Sequence, residues 1–141
     1  MRHRISLMMA VLCLAPCGAG AESVPGPAAA QTEGDPATLA FAEAVQACEA
    51  ATFESPHPFM RGFIIPHRIV GPADGKCVYS QGMPGDMRME CSLSEEGQAA
   101  LAAEFREQAA GRMSGSTAKQ PVWAKECSII GKDGKATPMG G

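Results

Sequence analysis

The feature that most constrains this chain is a set of four cysteines that follow its N-terminal apolar segment: Cys48, Cys77, Cys91 and Cys127. None of them has the C-x-x-C spacing that is typical of a thioredoxin-type redox centre or of half a zinc site. In an exported chain, such a set predicts two structural disulfides. Each bridge is expected to contribute about 2–4 kcal/mol, a large share of the net stability of a small domain.

The N-terminal residues predict export. The basic stretch Met1–Arg4 precedes an uncharged apolar run, Ile5–Pro16, which is shorter than the roughly 20 residues needed to cross a bilayer as a helix. Small residues follow, so we expect residues 1–21 to be a signal peptide that is cleaved before Glu22, giving a periplasmic or secreted product. The residues that end at Cys17 also resemble a lipobox, and lipidation of Cys17 is the alternative.

Charge argues against a nucleic-acid partner. Removal of Arg2 and Arg4 with the signal peptide leaves ten Lys/Arg against fifteen Asp/Glu, a formal net charge of −5. The basic residues are scattered singly, whereas a phosphate-binding surface needs them clustered. The mature chain has no second apolar run of membrane-spanning length, so no transmembrane segment is predicted.

Hydrophobic periodicity predicts an α+β domain in which two helices flank a three-stranded antiparallel meander. Tight turns separate the strands, and both helices are expected on one face of the sheet. The predicted helices cover about 36–51 and 94–111, and the predicted strands lie within 59–70, 76–80 and 87–93.

The same patterns divide the mature chain into three parts. Residues 22–34 are rich in Pro, Gly and Ala and predict a flexible leader, and residues 35–130 form the single domain. Within it, residues 122–130 indicate either a short strand or an irregular segment. Residues 131–141 contain no large aliphatic side chain and are predicted to be disordered.

The sequence allows three connectivities for the two disulfides. A three-residue turn between the second and third predicted strands would allow Cys77 and Cys91 to lie opposite each other. Another register would leave each of them free for a different partner. We favour a bridge from Cys48 in the first helix to the sheet, and one from the sheet to Cys127. This arrangement would tie down both ends of the domain.

A copper site is one functional alternative, because exported copper proteins use thioether and imidazole ligands. The ligands available for it are Met83, Met87, Met89, His57 and His67. The histidines have no short metal-ligand spacing, and Met87 and Met89 occupy inward positions of the alternating third strand, where methionine commonly fills gaps. We therefore predict no cofactor and keep copper binding as the alternative.

Catalytic signatures are not recognisable in the sequence. Hydrolysis needs a nucleophile, a base and an orienting group, and neither His57 nor His67 lies in a known pattern of this kind. The sequence therefore predicts a protein that is not an enzyme.

Three segments, Phe53–Gly62, Val70–Tyr79 and Met83–Cys91, resemble a family of small exported proteins of proteobacteria. The likeness covers about residues 47–110 together with Cys127. It implies a single cysteine-bridged periplasmic domain and assigns no activity. A further cysteine that the family carries just after the first helix is absent here.

These observations favour a non-enzymatic accessory or binding module with a protein partner in the periplasm. Its expected contact surface consists of turn residues of the kinds enriched at interfaces, namely Phe59, Met60, Arg61, Met83 and Arg88. The structural alternative is that Phe59 and Met60 only cover the edge of the sheet. A small inhibitor of a cell-wall-active enzyme is a further functional alternative.

Overall fold

A computed structural model describes residues 34–112 and 120–140. In these residues two α-helices pack against an antiparallel sheet of six strands, which confirms the α+β class and makes the prediction of three strands wrong. The predicted signal peptide, Cys17 and nearly all of the predicted leader lie outside the described residues. None of the described helices has both the length and the apolar character needed to span a membrane.

The strands follow one another across the sheet in chain order, each antiparallel to the next. Helix α2 and a short 3-10 helix connect the fourth strand to the fifth. The elements are α1 (Pro36–Ala47), β1 (Ala51–Pro56), β2 (Ile64–Ala73), β3 (Lys76–Met83), β4 (Met87–Leu93), α2 (Glu95–Ala109), the 3-10 helix (Val122–Glu126), β5 (Cys127–Ile130) and β6 (Ala136–Pro138).

Helix α1 begins where the sequence predicts. The Asp35 carboxylate accepts a hydrogen bond from the backbone N–H of Thr38 at 2.8 Å, and Pro36 occupies the first turn, where its missing N–H is not needed. The helix stops at Ala47 rather than near residue 51, because Cys48 adopts the left-handed conformation with φ 51°. The chain is thereby released to form β1.

Helix α2 is capped by Ser94, whose hydroxyl accepts a hydrogen bond from the backbone N–H of Gly97 at 3.2 Å. Glu95 and Glu96 lie in the first turn, where negative charge favours the helix dipole. The Ser94 hydroxyl also donates to a carboxylate oxygen of Glu126 at 2.8 Å, which joins the start of α2 to the 3-10 helix. Both predicted helices are therefore present, and α2 lies close to its predicted bounds.

The additional strands are short and lie mostly at the edges of the sheet. Strand β1 forms from residues predicted as a helix end and a turn, and it pairs with β2 from Ala51↔Ile69 to Pro56↔Ile64. Strand β5 lies in the segment whose structure the sequence left open. Strand β6 pairs with β5 in the tail that was predicted to be disordered, and its order comes from this pairing rather than from apolar side chains.

The helices cover one face of the sheet. Burial alternates along β2, as expected for a strand with one face towards the core. A single core joins residues of both helices to the inward residues of the sheet, so the prediction that both helices lie on one face is confirmed. Its members are Phe41, Ala42, Val45, Ile69, Cys77, Tyr79, Met89, Cys91, Leu93, Leu101, Ala102, Phe105 and Cys127.

The predicted inward face of β4 is mostly present. Met89, Cys91 and Leu93 are buried, whereas Met87 is 37% exposed. The difference arises because Met87 begins the strand and lies opposite Met83, at the end of the sheet where the β3–β4 turn projects.

All four cysteines form disulfides, as predicted, and the connectivity is the arrangement we favoured. Cys48 at the end of α1 is bonded to Cys77 in β3, and Cys91 in β4 is bonded to Cys127 in β5. The β3–β4 turn does have three residues, but the register of these strands places Cys77 opposite Leu93. Cys77 and Cys91 are therefore not direct neighbours. Cys91 and Cys127 are the pair that lies directly opposite.

The meander brings two loops to one end of the sheet. Pairing of Pro56 with Ile64 and of Met83 with Met87 puts the β1–β2 loop and the β3–β4 turn at the same end. Helix α2 begins at the opposite end, after Leu93, and runs back along the sheet. Its C-terminal turn thus approaches the β1–β2 loop.

Candidate functional site

A cavity of about 330 Å³ lies between α2 and the inward face of β1–β3. Its apolar wall includes Ile65 and Leu101, and the exposed residues Pro58, Gly111 and Arg112 lie at its mouth. Seven further side chains give the cavity its aromatic and polar character: Ser55, His67, Tyr79, Gln81, Glu104, Phe105 and Trp123.

Four of these residues form a continuous chain of hydrogen bonds across three strands. The Ser55 hydroxyl lies 2.9 Å from Nε2 of His67, and Nδ1 of His67 lies 2.8 Å from the Tyr79 hydroxyl. The Tyr79 hydroxyl donates to Oε1 of Gln81 at 3.0 Å. Because Tyr79 has only one proton to donate, its oxygen must accept from Nδ1–H of His67. Nε2 of His67 then accepts from the Ser55 hydroxyl.

Burial keeps the imidazole and the phenol of this chain uncharged. Removal from solvent lowers the pKa of His67 to about 4, because the charged imidazolium loses its hydration. Burial also raises the pKa of Tyr79, and the nearby carboxylate of Glu104 raises it further. At neutral pH both groups are therefore neutral hydrogen-bonding groups.

Glu104 and Trp123 form a second polar contact in the cavity wall. The indole Nε1–H donates to Oε1 of Glu104 at 2.9 Å. Burial raises the pKa of the Glu104 carboxyl, and the hydrogen bond from Trp123 partly opposes that effect. Among the described residues, no Lys, Arg or His forms an ion pair with Glu104.

The Ser55–His67 contact has the atoms of a nucleophile and a base, but its surroundings favour a structural network. Ser55 is 4% exposed and His67 is 6% exposed, so little of either is open to a substrate. The chain also ends in the neutral amide of Gln81, whereas a carboxylate is the usual group that stabilises an imidazolium. A satisfied buried network of this kind fixes the shape of the cavity wall.

The predicted contact residues of the β1–β2 loop are exposed. Phe59 is 80% exposed, Met60 is 43% exposed and Arg61 is also exposed. Nδ1 of His57 accepts hydrogen bonds from the backbone N–H groups of Phe59 and Met60, both at 3.1 Å. His57 therefore holds the turn that presents Phe59 to solvent.

The other two predicted contact residues lie at the same end of the sheet but differ in environment. Met83 is half-buried and packs against the core. Arg88 is exposed and pairs with Glu90, with Nε 2.6 Å from Oε1. Of these two, only Arg88 is a surface residue.

Three of the five residues of the copper alternative are occupied by other contacts. Met89 is buried in the core, both nitrogens of His67 are hydrogen-bonded, and Nδ1 of His57 holds the β1–β2 turn. Over residues 34–112 and 120–140, no three His, Cys, Asp or Glu side chains cluster as they would around a metal ion. Met83 and Met87 lie directly opposite each other where β3 ends and β4 begins, so the structure brings together two of the five candidate ligands.

Sequence reasoning missed the cavity residues Ser55, Tyr79, Gln81, Glu104 and Trp123. Their contacts join residues that are far apart in the chain: 12 positions separate Ser55 from His67, and 19 separate Glu104 from Trp123. The sequence contains one weak indication of Glu104 as a cavity residue: it directly precedes Phe105, which lies on the apolar stripe of α2.

Comparison with family models, with curated proteins and with solved structures finds no match. The resemblance to the exported proteobacterial family stays a prediction.

Proposed function

We propose that the protein is an exported, non-enzymatic binding module that holds a small ligand in the cavity between α2 and β1–β3. The observation that carries the proposal is the cavity itself, about 330 Å³ in volume, with aromatic walls and a few fixed polar groups. Cavities of this size and character are the usual sites of small ligands in proteins.

The cavity wall is preorganised, and this supports binding. The hydroxyl of Ser55, the imidazole of His67 and the hydroxyl of Tyr79 are locked by their mutual hydrogen bonds. Disulfide Cys48–Cys77 joins α1 to β3, the strand that also carries Tyr79. A wall that does not need to be ordered on binding loses little conformational entropy when a ligand enters.

The test is a screen of small aromatic and aliphatic fragments against the purified, oxidised protein by two-dimensional NMR. We expect bound fragments to shift the resonances of Tyr79 and of the Trp123 indole. The variant Gln108→Trp places a large side chain at an exposed position of the cavity wall and should weaken binding at least tenfold. Gln46→Trp, at an exposed position of α1, is the matched control and should bind as the wild type does.

Two results would contradict this function. One is that no fragment shifts the cavity resonances at millimolar concentration. The other is that Gln108→Trp and Gln46→Trp bind the fragments equally well, because binding would then take place elsewhere.

A protein partner at the β1–β2 loop is the second candidate, and the 80% exposure of Phe59 favours it. A large aromatic side chain held in the open by a defined turn is typical of an interface anchor. Phe59 can be replaced by a photo-crosslinking phenylalanine analogue in exported protein, with Val70, which is 52% exposed in β2, as the control position. A crosslinked species specific to position 59 supports this role, and equal crosslinking at both positions contradicts it.

A further inference from the structure

The charge balance of the cavity points to the chemistry of its ligand. Glu104 lines the cavity, and its Oε1 accepts the Trp123 indole N–H at 2.9 Å. No hydrogen bond within the described residues occupies Oε2 of Glu104. A half-buried carboxylate with one oxygen free is able to accept a strong hydrogen bond from a positively charged donor.

The other titratable groups around the cavity do not neutralise Glu104. Arg112 at the mouth is paired with Glu107, with its Nη2 2.8 Å from Oε1, so its charge is already balanced. His67 is neutral at pH 7 because burial lowers its pKa to about 4, and Tyr79 is neutral because burial raises its pKa. Glu104 is therefore the charge that lacks a partner among the described residues.

The walls beside Glu104 suit a cation with an apolar body. Trp123 is half-buried and lines the cavity, in front of the buried rings of Tyr79 and Phe105. Aromatic rings attract cations through their negative faces. Burial raises the pKa of Glu104, because the carboxylate loses part of its hydration in the cavity wall. A cation beside it would compensate for the lost hydration.

We propose that the cavity binds an organic ammonium ion, with its positive nitrogen at Glu104 and its apolar body against the half-buried ring of Trp123. This inference rests on the proposed ligand-binding function and adds the class of ligand. An anionic ligand is disfavoured, because it would bring a second negative charge next to a carboxylate that no positive side chain of residues 34–112 and 120–140 neutralises.

The experiment compares three probes of nearly equal size and different charge: 2-phenylethylamine, 2-phenylethanol and phenylacetate. Dissociation constants are measured by NMR titration at pH 7, where the amine is a cation and the acid is an anion. The expected order is amine, alcohol, acid, with the amine about tenfold tighter than the alcohol, because a charge-assisted hydrogen bond is stronger than a neutral one.

Two variants assign the preference to Glu104. Glu104→Gln should remove the advantage of the amine while the alcohol still binds. Glu96→Gln changes the net charge by the same amount at an exposed position in the first turn of α2, and it should keep the preference.

The outcomes separate this inference from the function on which it rests. If the three probes bind the cavity equally, or if Glu104→Gln keeps the preference for the amine, the ammonium inference is wrong and the ligand-binding function stands. If none of the probes shifts the resonances of Tyr79 and Trp123, while the fragment screen still finds cavity ligands, the inference also fails. If neither experiment finds a ligand, both proposals fall.

Discussion

Acidification from pH 7 to pH 5 should destabilise the fold through His67. The folded state holds this imidazole neutral, with a pKa of about 4, whereas in the unfolded chain the imidazole has its ordinary pKa of 6.5. Between these two values the unfolded state binds more protons than the folded state, so stability falls as the pH is lowered. The contribution is fully present above pH 6.5 and is lost progressively down to pH 4.

The magnitude follows from the two pKa values. The whole shift corresponds to about 3 kcal/mol, and the part lost between pH 7 and pH 5 is about 2 kcal/mol. Glu104 acts in the opposite direction, because its raised pKa makes the folded state bind more protons than the unfolded state above pH 4.5. The effect of His67 must therefore be measured against a variant that keeps Glu104.

The assay is urea denaturation of the oxidised protein at several pH values between 7 and 5, for the wild type and for His67→Gln. Glutamine does not titrate in this range, so the difference in the free energy of unfolding between the two proteins should shrink by about 2 kcal/mol on acidification. An NMR titration of the His67 ring in the wild type should give a midpoint near 4. Ser55→Ala keeps the buried imidazole and should retain most of the pH dependence if His67→Gln does not fold.

Parallel stability curves for the wild type and His67→Gln would refute this reasoning. A ring titration of His67 with a midpoint near 6.5 would do the same, since it would mean that the imidazole is hydrated in the folded state.

Three further predictions concern stability. Replacing Cys48 and Cys77 together by alanine should cost about 2–4 kcal/mol in urea denaturation, because the unfolded chain loses a constraint. Asp35→Ala removes the N-cap of α1 and should cost about 1 kcal/mol, measured in the same way. Gly82→Ala should cost about 1–3 kcal/mol, because the new Cβ would lie 2.5 Å from Cγ of Pro66, and calorimetry should register a lower melting temperature.

Control variants are available for Asp35→Ala and Gly82→Ala. Glu49→Ala, at an exposed position beyond the end of α1, should leave stability within about 0.5 kcal/mol of the wild type. Ser80→Ala, two residues before Gly82 in β3, should be tolerated better than Gly82→Ala. Equal effects of the two β3 substitutions would mean that the contact with Pro66 is not limiting, and an unchanged stability without the Cys48–Cys77 bridge would contradict its structural role.

Local patterns in the sequence determined the elements that carry strong signals of their own. Asp35 and Pro36 predicted the start of α1, because capping and proline geometry act within a few residues. The alternating apolar residues predicted β4, since burial of one face of a strand imposes a period of two. The cysteines predicted two disulfides because their number and their spacing exclude the common redox and zinc motifs.

Tertiary structure decided what depends on pairing between distant segments. Strands β1 and β6 lack a strong apolar pattern and form because β2 and β5 offer hydrogen-bonding edges. The register of the sheet, which puts Cys91 opposite Cys127, selected one disulfide pairing from the three that are allowed. The cavity also depends on contacts between distant segments. Ser55, His67 and Tyr79 meet only when three strands align. Glu104 reaches Trp123 only when α2 packs against the 3-10 helix.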